Sequence, residues 1–255
     1  MGGGSVMPRF FVDKSAVSGA GITIGGEDAK HISLSLRARV GEKITACDGC
    51  GNDYECEIEE ITRDNVFLKI LEQKRSEAEP TVKVTLYQAL VKSDKFDYIV
   101  QKCVELGVAE IVPVVTDRCI SKPDDSSLSK KLARWNKIAL EAAKQSGRGA
   151  LPEVCGAVSF DEALRRMKED DLCFVCYEST PRIALNEIYE KAAAEKQVKS
   201  VSFLIGPEGG IADKEVAAAK DEGVCLAGLG PRILRTETAP LCVMSALMLM
   251  TGNLS

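Results

Sequence analysis

Five short apolar runs separated by amphipathic stretches constrain this chain most: VKVTLYQAL (Val82–Leu90), VAEIVPVV (Val108–Val115), LCFVCY (Leu172–Tyr177), SVSFLIG (Ser200–Gly206) and VCLAGL (Val224–Leu229). Runs this apolar bury both faces of a strand, so helices must cover the sheet on both sides. Ser93 is read as the cap of a helix with Phe96, Ile99, Val100 and Cys103 on one side, ended by Gly107. Further helices are expected over Ile183–Glu195, Asp213–Glu222 and about Glu237–Met250. The fold class is therefore α/β with a mostly parallel sheet.

The first part of the chain follows another pattern. PRFFVD (Pro8–Asp13) reads as a strand and Glu27–Arg37 as a short helix. Lys43–Ile61 reads as two strands around an Asp48-Gly49 turn, and Asn65–Lys74 as another. Such a β-rich stretch suits a small barrel. RSEAEP (Arg75–Pro80) is a charged, proline-ended break, so the expected domains are 7–76 and 80–255.

Composition is that of a globular chain, with 45% hydrophobic and 28% charged residues, which excludes disorder and coiled coil. No apolar run approaches the roughly 18 residues that span a bilayer. Met1–Val6 lacks the basic and apolar regions of a signal peptide, and Met7 is the expected start. A cytoplasmic protein with no membrane partner is expected.

His31 is the single histidine, which disfavours a histidine triad and makes an HExxH zinc site impossible. A structural or surface role is expected for it. Cys173 and Cys176 point to opposite faces of one strand. Cys47 and Cys50 flank a turn with only Cys56 near, too few ligands for zinc. The ten cysteines are read as reduced thiols, and no metal site is expected.

Residues 80–155 carry 12 basic and 9 acidic groups, a net +3 within a chain of net −5. Lys130, Arg134, Lys137, Lys144 and Arg148 fall along one helix line, interrupted by Glu141, with Leu132, Trp135, Ala139 and Ala142 opposite. Such a stripe is either a solvated face or a track for phosphates.

Two glycine-rich loops carry the chemistry. SVSFLI runs into Gly206-Pro207-Glu208-Gly209-Gly210 before a helix, a strand–loop–helix unit of the kind that binds ligands at the carboxyl end of a sheet. Neither GxxxxGK[ST] nor GxGxxG is present, and Glu208 would repel a phosphate. The second loop, Gly230-Pro231-Arg232-Ile233-Leu234-Arg235-Thr236-Glu237-Thr238, follows VCLAGL, and Thr236 or Thr238 can cap the last helix.

LIGPEGG (Leu204–Gly210) followed by LGPRILRTETA (Leu229–Ala239) resembles the SPOUT-class 16S ribosomal RNA (uracil-N3) methyltransferase family. PRFFVD, HISLSLRARVGEKI (His31–Ile44), Asp94–Cys119 and Lys130–Arg148 are similar to the same family, so the resemblance covers Met7–Leu254. It implies an N-terminal PUA-like RNA-binding β-barrel and a C-terminal domain threaded as a trefoil knot. It also implies a homodimer, S-adenosylmethionine (SAM) as cofactor, and N3-methyluridine in 16S ribosomal RNA of the small subunit as product. Matched motif to motif, the cofactor site falls on Leu204, Gly206, Gly209, Gly210, Leu229, Gly230, Ile233 and Leu234, with Tyr177 and Glu178 nearby. Nothing in the stretch after Tyr177 anchors a role for Glu178 or Arg182.

Uracil N3 must lose its proton, and the resulting charge spreads onto the flanking carbonyls, where a guanidinium stabilises it. Arg235 is the first candidate and Arg232 the second, unless Arg232 pairs with Glu208. Glu237 either accepts the proton or starts the last helix. Arg9, Arg37, Lys92, Arg118, Lys137, Lys144 and Arg148 are the candidate RNA contacts. Two other functions remain open: a non-catalytic RNA-binding or ribosome-assembly protein, and methylation of another RNA position such as a ribose 2′-hydroxyl.

Overall fold

The computed structural model describes residues 7–120, 124–180 and 182–254, without the side chains of Ser93 and Asp125. The leader Met1–Val6 and the side-chain cap read for Ser93 lie outside this description. The chain forms two compact units, residues 1–79 with 143–151 and residues 80–142 with 152–255.

The first unit is a curled six-stranded sheet. Its elements are β1 (Arg9–Phe11), β2 (Val17–Ser18), β3 (Gly21–Gly25), α1 (Gly26–Lys30), β4 (Lys43–Cys47), β5 (Asn52–Ile61) and β6 (Asn65–Arg75). The order is β1-β4-β5-β6-β3-β2, antiparallel except for β1 beside β4. The β4–β5 turn forms because Asp48 Oδ1 accepts from the amides of Cys50 (2.8 Å) and Asn52 (3.1 Å), while Gly49 takes φ +71°. Alternate residues Ile22, Ile24, Ile44, Ile58, Val66 and Leu68 fill the core. The strand β3 went unread in the sequence because GITIG has only two apolar side chains between glycines.

The expected helix Glu27–Arg37 is corrected. The α-helix ends at Lys30 and widens into one π turn, His31–Ser35, and Arg37 stops it at φ +54°. This turn buries Ile32 completely and leaves His31 exposed, its ring 6.0 Å from that of Phe10. Cys47 and Cys56 are buried thiols, pushed up to about 12 and about 11 by that burial.

Residues 143–151 belong to this unit through a buried ion pair. Arg148 Nη2 donates to Glu79 Oε2 at 2.7 Å, and Glu79 Oε1 accepts from the amides of Gly149 and Ala150, both at 3.0 Å. Arg9 spends its fork on Asp53 at 2.7 and 3.0 Å. Two RNA candidates are thereby corrected: Arg148 is 3% exposed and Arg9 is committed to Asp53, so both are framework residues.

The second unit contains β7 (Lys83–Ala89), α2 (Ser93–Glu105), β8 (Glu110–Val115), α3 (Asp125–Ser146, ending in the first unit), β9 (Glu153–Val154), β10 (Val158–Ser159), α4 (Phe160–Met167) and β11 (Leu172–Cys176). It continues with β12 (Ile183–Ala184), α5 (Leu185–Glu195), β13 (Ser200–Ile205), α6 (Asp213–Asp221), β14 (Cys225–Gly228) and α7 (Ala239–Met250). All pairings are parallel, in the order β10-β8-β7-β13-β11-β14-β12, with β9 beside β8. Val175 and Leu204 pack with residues of α4 and α6 on one face, and Phe174 and Phe203 stack 5.9 Å apart at the alternate positions. Both faces are buried, as the apolar runs required.

Three boundaries shift. Ile183–Ala184 is an edge strand rather than the start of a helix, α6 ends at Asp221, and α7 begins at Ala239. The basic stripe on α3 is broken. Arg134 pairs with Asp97 and Lys144 with Asp28 (3.5 Å), whereas Lys130 and Lys137 stay exposed. Opposite them Trp135, Ala139 and Ala142 are buried, with Trp135 stacked on Phe96 at 4.0 Å. Among the described residues no helix is long and apolar enough to cross a membrane.

Candidate active site

Parallel strands place their carboxyl ends along one side of the sheet, and a cleft opens there. It measures about 520 Å³ and is lined by the residues that follow β11, β13 and β14. This is the size of a small-molecule site. Of the eight residues assigned to the cofactor, seven line it: Gly206, Gly209, Gly210, Leu229, Gly230, Ile233 and Leu234. Leu204 is the correction, because it faces the core within β13 and is fully buried.

The two glycine loops are fastened to each other and to the sheet. Thr236 Oγ1 donates to the Gly206 carbonyl at 2.8 Å and accepts from the buried amide of Gln88 at 3.2 Å. Thr236 is therefore a tie between loops and not a helix cap. Thr238 occupies the N-cap position of α7 without a side-chain cap bond. Glu215 Oε1 accepts from the Asp117 amide (2.9 Å) and Oε2 from the Ala212 amide (3.0 Å), which seats the start of α6 beside the loop after β8. From that loop Arg118 Nη1 donates to the Gly209 carbonyl at 3.1 Å. Arg118 thus braces the first glycine loop, a role its reading as an RNA contact did not include.

Glycine is favoured here by backbone conformation at Gly210 and by space at Gly206. A Cβ on Gly210, whose φ is +71°, would lie 2.6 Å from Glu178 Oε1. One on Gly206 would lie 2.8 Å from Ile211 Cδ1, and one on Gly228 2.5 Å from Arg182 Cδ. Arg182 donates to the carbonyls of Glu178 and Gly230, the latter at 3.0 Å, so it straps the segment after β11 to the second loop. The cleft thus includes Tyr177, as expected, and also draws in Glu178 and Arg182, for whose roles the sequence offered no anchor.

Charge is arranged at the rim. Arg232 and Arg235 both line the cleft, and the Arg235 side chain is 83% exposed. Lys95, on the first turn of α2, lies 3.3 Å from Glu208 Oε1 and 3.3 Å from Glu237 Oε2. The pairing considered for Arg232 with Glu208 is therefore replaced by Lys95, which sequence reasoning missed. Glu237 Oε1 also lies 4.0 Å from Arg235 Nη1. Lys92, one turn before Lys95, is exposed, as is Arg37 in the first unit.

The RNA methyltransferase domain family matches residues 77–248, and the RNA methyltransferase PUA domain family matches residues 24–71. The ribosomal RNA small subunit methyltransferase E of Bacillus subtilis is 37% identical over 250 residues, spanning 96% of this chain and 97% of the relative. A protein of the same name from Neisseria gonorrhoeae, solved bound to S-adenosyl methionine, is 32% identical with a TM-score of 0.82, covering 96% of this chain and 98% of that one. A Legionella pneumophila methyltransferase, solved with the bound cofactor SAM, is 30% identical with a TM-score of 0.79 over 96% and 98% of the two chains. These matches span both units, and the chain belongs to the RNA methyltransferase family that includes the ribosomal RNA small subunit methyltransferases E.

Proposed function

We propose that this protein transfers a methyl group from SAM to N3 of a uridine in 16S ribosomal RNA of the small subunit. The observation that carries this reading is the cleft at the strand ends, with two glycine loops for walls and two guanidinium groups at its rim. The cleft fits SAM. Gly206 and Gly210 keep it open where a Cβ would collide, and Ile205, Leu229, Leu234 and Ala239 supply an apolar lining. Gly206, Gly209, Gly210, Leu229, Gly230, Ile233 and Leu234 are the residues that would hold it.

When bound, SAM supplies an electrophilic methyl group on a sulfonium. The chain's own task is to align the uracil and stabilise the charge that forms as N3 loses its proton. Arg235, exposed and aimed from the second loop, donates its planar fork to a carbonyl beside N3, with Arg232 as the neighbouring donor.

The domain assignment is part of the proposal: residues 7–76 bind RNA as a PUA-like domain, and residues 80–255 carry the methyl transfer. The trefoil knot belongs to it too. Its support is that the chain leaving β14 returns to seat Thr236 on Gly206 and Gln88, while β12 pairs with the outer side of β14. An experimental trace of residues 178–239 decides it. A homodimer acting in the cytoplasm completes the reading. Its support is the apolar α7, which leaves Leu249 exposed, and Tyr98 exposed on the neighbouring α2. A single monomer mass by sedimentation at micromolar concentration would remove it.

Nucleoside mass spectrometry of small-subunit RNA incubated with labelled SAM tests the reaction. The label is expected in 3-methyluridine. Label on a ribose or another base would move the reaction elsewhere, and no SAM binding in calorimetry would favour the non-catalytic RNA-binding reading. Gly210→Val should weaken SAM binding roughly tenfold or more, because it adds backbone strain and a collision with Glu178. Unchanged SAM affinity in the folded variant would remove the cofactor from this cleft.

RNA is proposed to meet exposed cations on each unit, Lys92, Lys130 and Lys137 on the second and Arg37 on the first. Reversing Lys130 and Lys137 to Glu should weaken RNA binding and reduce the salt slope by about 1.5–2 if both meet phosphates. A wild-type slope would return α3 to a solvated face.

A further inference from the structure

We propose that Lys95 is a positioning residue: its ammonium takes up both rim carboxylates, Glu208 and Glu237, and so keeps the Arg235 guanidinium available to the substrate. This rests on the reading of the cleft as a methyl-transfer site.

Each glycine loop brings one carboxylate to the same ammonium, at 3.3 Å in both cases. Glu237 divides its two oxygens. Oε2 faces Lys95, and Oε1 faces Arg235 at 4.0 Å, the outer limit of an ion pair. The Glu237 side chain is only 19% exposed, whereas that of Arg235 is 83% exposed. A carboxylate so far removed from water needs a counter-charge. If Lys95 is removed, Arg235 is the cation left within ion-pair distance of Glu237 among the described residues, and a long exposed side chain can fold down onto that carboxylate. The fork that would meet a uracil carbonyl is then spent inside the protein.

Burial by itself would make the Lys95 ammonium easier to deprotonate. Attraction to Glu237 and Glu208 outweighs it and holds the group above the ordinary lysine value, so the clamp stays charged near neutral pH. In this arrangement Glu237 is an anchor for Lys95 and not the acceptor of the N3 proton.

The prediction is that neutralising Glu237 repairs the loss of Lys95. Wild type, Lys95→Met, Glu237→Gln and the double variant are compared in two assays. Phenylglyoxal labelling with peptide mapping reads the reactivity of Arg235 against that of Arg232 without any catalysis. Arg235 should be protected severalfold in Lys95→Met and become reactive again in the double variant. Single-turnover methyl transfer should fall about tenfold or more in Lys95→Met, with SAM affinity changed less than about threefold, and recover in the double variant. A simple structural clamp would not be repaired by a second substitution. Unchanged Arg235 labelling in Lys95→Met, or a double variant no faster than the single one, overturns the proposal. If wild type methylates no RNA, the methyl-transfer reading fails while the labelling still decides the role of Lys95. Should Lys95→Met lose its fold by circular dichroism, Lys95→Gln serves in its place with the same expected results.

Discussion

Arg235→Lys should bind SAM and RNA nearly normally and methylate about 10²–10³ times more slowly. Lysine keeps the charge but loses the planar fork that meets a carbonyl beside N3. Losing one aimed donor at a developing anion typically costs about 3–4 kcal/mol of transition-state stabilisation. The exposed position of Arg235 at the cleft rim means the substitution disturbs no packing, so the loss reports on the chemical step. Raising the pH should recover part of the rate, because more of the uracil is then already deprotonated. Single-turnover rates across pH decide it. A near wild-type rate would transfer the role to Arg232, which lines the same cleft. A loss confined to SAM affinity would make Arg235 a cofactor contact.

The largest stability effect is expected in the first unit, at Glu79. Its carboxylate accepts from Arg148, whose side chain is 4% exposed, and from two backbone amides. Glu79→Ala removes four bonds, two from Arg148 and two from backbone amides, and takes this counter-charge from a buried guanidinium, a change that typically costs about 3–5 kcal/mol. Urea unfolding should show it, and a loss below about 1 kcal/mol would mean that the pair is not what holds residues 143–151 in place. A pH dependence accompanies it. Burial would raise the Glu79 carboxyl, but the bonds from Arg148, Ala150 and Gly149 outweigh burial and hold it below the ordinary carboxylate range. A depressed folded value means the unfolded chain binds the proton first. The contribution is therefore complete above the ordinary glutamate value of about 4.3 and is lost as pH falls below it toward the folded value. Glu79→Ala should lack this part of the acid transition. An acid profile identical to that of wild type would contradict the assignment.

Much of the site was legible because it is local. The apolar runs ending at Gly206 and Leu229 announce two loops at strand ends, and parallel strands bring those ends to one side. Of the eight positions that the family resemblance assigned to the cofactor, seven line the cleft formed there. Leu204 failed by one register step, since strand residues alternate in direction and its side chain belongs to the core. Arg182 and Lys95 were invisible for a different reason. Each acts on loops far from it in sequence, and no periodicity in its own segment records that contact.

The charged residues show the same division. The stripe Lys130, Arg134, Lys137, Lys144 and Arg148 is a real property of the sequence, because helical geometry alone aligns it. Whether a cation on that line meets solvent or a carboxylate depends on where Asp97, Asp28 and Glu79 arrive, and only the packed chain settles that. By itself, the sequence determined the parallel sheet with both faces buried, the β-rich first unit and the position of the glycine loops, because each follows from hydrophobic patterning and turn chemistry within a short window. Tertiary structure decided which cations became framework and which carboxylates Lys95 holds, because electrostatic partnership is fixed by distance in space between residues that share no local pattern.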